Sequence, residues 1–135
     1  MISKALELLK KEEGYRQFLY TCSEGKTTIG YGFNLDDTGL SKEESSLILE
    51  LRISKIEELL FHEYTWFRSI SSDRQSILIS MVYQLGFKGF KSFKKMIKAL
   101  ADKDYDLASE EGLDSLWSLQ TPTRAIRHME VLRRG

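Results

Sequence analysis

The stretch EEGYRQFLYTCSEGKTTIGYGF, Glu12 to Phe33, decides how the chain is read. Two runs rich in aromatic and β-branched residues, Tyr15–Tyr20 and Lys26–Phe33, flank TCSEG. That pattern predicts a β-hairpin with its turn near Glu24-Gly25. In the second run Ile29, Tyr31 and Phe33 share one face, and Thr28, Gly30 and Gly32 share the other. The first face can pack on a core. The second is almost bare backbone with one hydroxyl. Bare backbone in a strand marks a close approach, so this face reads as a cleft floor. The stretch also holds Cys22, the one cysteine among 135 residues.

Outward from the hairpin the pattern turns helical. Ile2, Ala5, Leu6 and Leu9 recur at helical spacing and predict a helix over 2–13, with Gly14 as its C-terminal stop. NLDDTGL reads as a loop. SKEE, Ser41–Glu44, is a capping box that opens a long helix to about residue 62, with Leu47, Leu51, Ile56, Leu59 and Leu60 as its apolar positions. SDRQ, Ser72–Gln75, is a second capping box; its helix carries Ile77, Leu78, Met81, Val82 and Leu85 and ends at Gly86. FKSFKKMIKALAD predicts a basic amphipathic helix with Phe93, Ile97 and Leu100 inward. A short helix follows around Asp104–Glu111. The last helix starts with Thr121 as N-cap and Pro122 at its first position.

The layout is α+β with segregated elements in a single domain: lobes at about 1–40 and 64–135, and a linking helix at about 41–62. A cleft between the lobes is the natural ligand site.

Composition supports a globular chain, with 41% hydrophobic and 30% charged residues. Net charge is zero, but residues 1–70 carry 9 basic and 12 acidic side chains, and residues 71–135 carry 11 and 8. One cysteine makes no internal disulfide. The N-terminus lacks the apolar core of a signal peptide, and no apolar run approaches a membrane span. The expectation is a monomer made in a cytoplasm, with no stable membrane insertion, no metal and no cofactor. No Cys/His cluster suggests zinc, and GYGF lacks the Lys-Ser/Thr ending of a phosphate loop. Lysines 88, 91, 94, 95 and 98 read as a solvated helix face rather than a nucleic-acid surface. Nothing places His62 or His128 beside Cys22. Trp66 and Trp117 read as core or cleft packing.

Two charges sit where the helix dipole disfavours them. Glu13 closes the first helix, and Arg124 lies in the first turn of the last. Solvation explains either alone; pairing across the cleft explains both, and partial burial would then raise the pKa of the acid.

The opening stretch resembles the N-terminal signature of the T-even phage lysozyme family (glycoside hydrolase family 24, phage endolysins). The residues that carry the resemblance are Glu13, Gly14, Arg16, Tyr20, Cys22, Gly25, Thr28, Ile29, Gly30 and Gly32. MVYQLGFKGFKSF and WSLQTPTRAIRHMEVLRRG are similar to later segments of the same family, and residues 34–70 match least. The resemblance implies a lysozyme-like fold and hydrolysis of the β-1,4 bond between N-acetylmuramic acid and N-acetylglucosamine. The implied partner is a peptidoglycan glycan strand, reached from the host cytoplasm after the membrane is permeabilised. It implies Glu13 as general acid, Thr28 as orienter of water and Arg124 as partner of the acid. It also implies that Gly30, Gly32, Gln84, Gln120 and Thr121 line or border the cleft.

Two positions depart from the family. Phe33 stands where it has histidine, which removes a structural ion pair. Cys22 stands where it has the catalytic aspartate. A free thiol is only a few per cent ionised at pH 7. Cys22 can therefore act as a base, act as a nucleophile, or leave a wall-binding pseudo-enzyme; a lytic transglycosylase is a further class.

Overall fold

The computed structural model describes residues 2–135. These form two compact units, 2–48 and 49–135, and the division falls inside the long helix.

In the first unit, helix α1 (Ile2–Glu13) ends where Gly14 N–H returns to the Lys10 carbonyl at 3.1 Å. Strands β1 (Arg16–Thr21), β2 (Thr27–Gly30) and β3 (Phe33–Asn34) form an antiparallel sheet in that order. The hairpin turn lies where the sequence expects it. Gly25 N–H donates to the Cys22 carbonyl, and Cys22 N–H donates to the Lys26 carbonyl, each at 2.9 Å. The second strand is shorter than its alternation implies. The chain reverses at Tyr31-Gly32, so Phe33 pairs back onto Ile29. Ile29, Tyr31 and Phe33 therefore do not share one strand face. Positive φ at Gly30 (68°) and Gly32 (70°) makes this reversal, which a purely alternating pattern does not encode.

The capping box of α2 (Lys42–Glu63) is reciprocal: Ser41 N–H reaches Glu44 Oε1 at 2.9 Å, and Glu44 N–H reaches Ser41 Oγ at 3.0 Å. Leu60 is its one buried residue; Leu47, Leu51 and Leu59 are exposed.

In the second unit, α3 (Ser72–Lys91) is capped by Ser71, one residue earlier than the sequence motif suggests; its Oγ accepts from Arg74 N–H at 3.2 Å. Gly86 interrupts α3 with φ 78° and ψ 161°, a conformation open essentially to glycine alone, and a further helical turn follows. Then come α4 (Lys94–Ala101), α5 (Tyr105–Leu113), α6 (Leu116–Gln120) and α7 (Pro122–Arg134). Phe67, Leu78, Met81, Phe90, Leu100 and Met129 lie at the centre of the core, all fully buried. Arg74 ties α3 to the end of α7: Nε donates to the Leu132 carbonyl at 2.7 Å and Nη2 to the Arg133 carbonyl at 3.0 Å. Its guanidinium lies 3.4 Å from the centre of the Tyr105 ring. No helix among the described residues is long and apolar enough to cross a membrane.

Candidate active site

Glu13, Cys22 and Thr28 all belong to the first unit, and two close approaches organise them. The first is between Glu13 and Gly32. A β-carbon at Gly32 would stand 2.5 Å from Glu13 Oε2 and 3.1 Å from its carboxyl carbon. Glycine at 32 is what lets the carboxylate rest on the β2–β3 turn. At Gly30 a β-carbon would meet the Phe33 ring at 2.8 Å. The bare backbone read from the sequence is thus covered, within this unit, by the acid and by Phe33.

The second approach concerns Cys22, which is half-buried at the mouth of the hairpin turn. Its thiol is held below the ordinary range. The largest cause is hydrogen bonding from the Lys26 backbone, followed by the Glu24 backbone. Partial desolvation opposes them, the Thr28 hydroxyl assists, and the Glu24 charge opposes weakly. Thr28 is 3% exposed, and its hydroxyl donates to the Lys26 carbonyl at 2.9 Å.

Around these groups, Arg16 stacks on Tyr20 at 4.5 Å, and the rings of Tyr15 and Tyr31 lie 5.4 Å apart.

The remaining candidates belong to the second unit. Trp117 Nε1 donates to Gln84 Oε1 at 3.0 Å, and Thr121 Oγ1 donates to the Trp117 carbonyl at 3.0 Å rather than capping α7. Gln120 and Trp117 line a cavity of about 450 Å³ with Phe93, Lys95 and Glu111. Trp117 packs in the core, as the sequence predicts, and its indole N–H also anchors Gln84. Arg124 is exposed, one helical turn before His128. Its pairing with Glu13 joins residues of different units and stays a sequence-based expectation.

Residues 10–125 match the family model described as phage lysozyme. The chain belongs to the phage lysozyme family. The chain is also similar to several named proteins. "Probable T4-type lysozyme 2" of Dictyostelium discoideum is 29% identical, covering all of this chain and 96% of its own length. "Pre-baseplate central spike protein Gp5" of Enterobacteria phage T4 is 27% identical over 96% of this chain but 27% of its own length. "Endolysin" of Acyrthosiphon pisum secondary endosymbiont phage 1 is 29% identical, with 80% of this chain and 74% of its own covered. The α+β architecture described above is that of a phage lysozyme, and the function of the chain is lysozyme-like.

Proposed function

We propose that this phage-lysozyme-family protein is an active muramidase that uses a thiolate where its relatives use a carboxylate. It cleaves the β-1,4 bond between N-acetylmuramic acid and N-acetylglucosamine and serves as an endolysin in host lysis. The seat of Cys22 at the hairpin turn carries this reading: its N–H donates to the Lys26 carbonyl and its carbonyl accepts from Gly25 N–H, beside a thiol held below its ordinary range. Glu13 gives its proton to the leaving glycosidic oxygen. The Cys22 thiolate takes a proton from a water that attacks the anomeric carbon from the opposite face. Thr28 steadies sulfur and water. Arg124, Gln84, Gln120 and Thr121 enter as substrate-binding or acid-orienting groups.

The seat matters because of the protonation states required. A carboxylic acid and a thiol at ordinary values, about 4.3 and 8.5, combine as acid plus thiolate in about one molecule in 10⁴. Each unit by which the thiol is pulled down raises that fraction tenfold. Attack by sulfur itself is less favourable. The resulting thioglycoside must expel a thiolate, a much stronger base than the aspartate it replaces. Release of the α-anomer first, followed by NMR, supports the base role; β-anomer first overturns it.

The central experiment is wall hydrolysis by three variants. Glu13→Gln should abolish the release of new reducing ends while leaving the melting temperature within a few degrees. Cys22→Ala should lose at least about 100-fold, the low end for general acid–base catalysis. Cys22→Asp should match or exceed the parent, with its ascending pH limb moved to acid. A Cys22→Ala protein as active as the parent sinks the thiolate mechanism. Wall binding without reducing ends would mark a pseudo-enzyme, and anhydromuramyl ends formed without water would mark a transglycosylase.

A further inference from the structure

Strand β2 begins under a clamp. Asp36 Oδ2 accepts the Thr27 N–H at 2.7 Å, and Asp37 Oδ1 meets Lys26 Nζ at 3.2 Å. The clamp is itself braced. Asn34 Nδ2 donates to Asp37 Oδ2, Asp37 N–H donates to Asn34 Oδ1, both at 3.0 Å, and Leu35 N–H returns to the Thr27 carbonyl at 2.9 Å. The pinned backbone, Lys26-Thr27, is the one that faces Cys22. The Lys26 carbonyl accepts from both Cys22 N–H and the Thr28 hydroxyl, each at 2.9 Å.

We propose that Asp36 and Asp37 are positioning residues for Cys22: they fix the Lys26-Thr27 backbone, whose carbonyl holds the Cys22 N–H and the Thr28 hydroxyl, and so keep the thiol in its place at the turn. The proposal rests on the thiolate reading above and deepens it. Nothing in the signature stretch announces these aspartates; they lie in the loop NLDDTGL, which reads as plain connection.

The charged groups around the thiol are Glu24 in its own turn, Lys26 at the head of β2, and Asp36 and Asp37 beyond β3; Glu13 lies over Gly32. This arrangement gives the test a sign. As a bare negative charge, Asp36 disfavours a thiolate, so removing the charge alone would lower the thiol pKa. As a clamp it favours the thiolate, so removing the acceptor raises the pKa. Asp36→Asn keeps an acceptor oxygen and loses the charge; Asp36→Ala loses both.

The readout is the pH dependence of iodoacetamide alkylation of Cys22 in the folded full-length chain, with the urea-unfolded chain as reference. Asp36→Ala should move the profile upward and slow alkylation at pH 7 by about three- to tenfold, the equivalent of half to one pKa unit. Asp36→Asn should leave the profile unchanged or move it downward. Asp37→Ala, which spares the Thr27 bond, should shift it upward by less and serves where Asp36→Ala does not fold. An Asp36→Ala profile at or below that of Asp36→Asn overturns the proposal. Alkylation reads the clamp and Cys22→Ala hydrolysis reads the catalytic role, so the two ideas fail separately.

Discussion

Gly32 shows how a single hydrogen side chain positions an acid. Its α-carbon lies beneath the Glu13 carboxylate, and its φ of 70° is one that L-residues adopt at a cost of about 1–2 kcal/mol. Gly32→Ala should therefore do two things. Thermal unfolding should reveal a loss of roughly that size, and wall hydrolysis should fall at least about tenfold because Glu13 must move aside. Unchanged turnover with reduced stability would mean the carboxylate's seat is irrelevant to catalysis. At this scale the candidate site is proposed largely from the sequence. Glu13, Cys22 and Thr28 stand at recognisable spacings, and the glycines announce that something comes close. What the alternation hides is the sign of φ. That sign turns the chain back at Tyr31-Gly32 and puts Glu13 and Phe33 over the bare backbone.

The elements are legible where local chemistry decides them. Helix α1 follows its apolar spacing, and the capping box of α2 forms bond for bond. Adjacent serines at the head of α3 are ambiguous, and Ser71 takes the cap. Helix α6 has five residues and strand β3 has two, too few for any period to register. Packing between elements is less visible still. His128 on α7 meets Ser80 on α3 at 3.0 Å and sits beside Trp117. Burial, then Arg124 and Arg127, hold its pKa below the ordinary 6.5. The unfolded chain then takes up a proton that the folded chain resists as pH falls through about 6.5. Stability is full above that pH and declines below it. Urea midpoints at pH 7.5 and 5.5 should differ more for the parent than for His128→Gln; equal differences would remove His128 from the acid response.

At the scale of the molecule, stabilising burial is unevenly shared. Every member of the main core cluster, from Leu60 to Leu132, belongs to residues 49–135, whereas Thr28 is the only buried residue among the described residues up to 48. Local opening is easiest where few apolar contacts resist it. Hydrogen exchange followed by mass spectrometry should therefore show the amides of β1 and β2 exchanging faster than those of α3, α5 and α7. Equal protection would refute this division of stability. Residue periodicity reveals two regions of different character, but it does not reveal how unequally they bury their side chains. The Arg74 tie has a consequence for synthesis. Its acceptors, the carbonyls of Leu132 and Arg133, follow it by about sixty residues. A nascent chain that has emerged only as far as α6 has α3, α4 and α5 but neither the guanidinium's acceptors nor the buried Ala125, Met129 and Leu132 of α7. The core of the helical unit is therefore complete only once α7 has emerged, well after α3, α4 and α5 have been made.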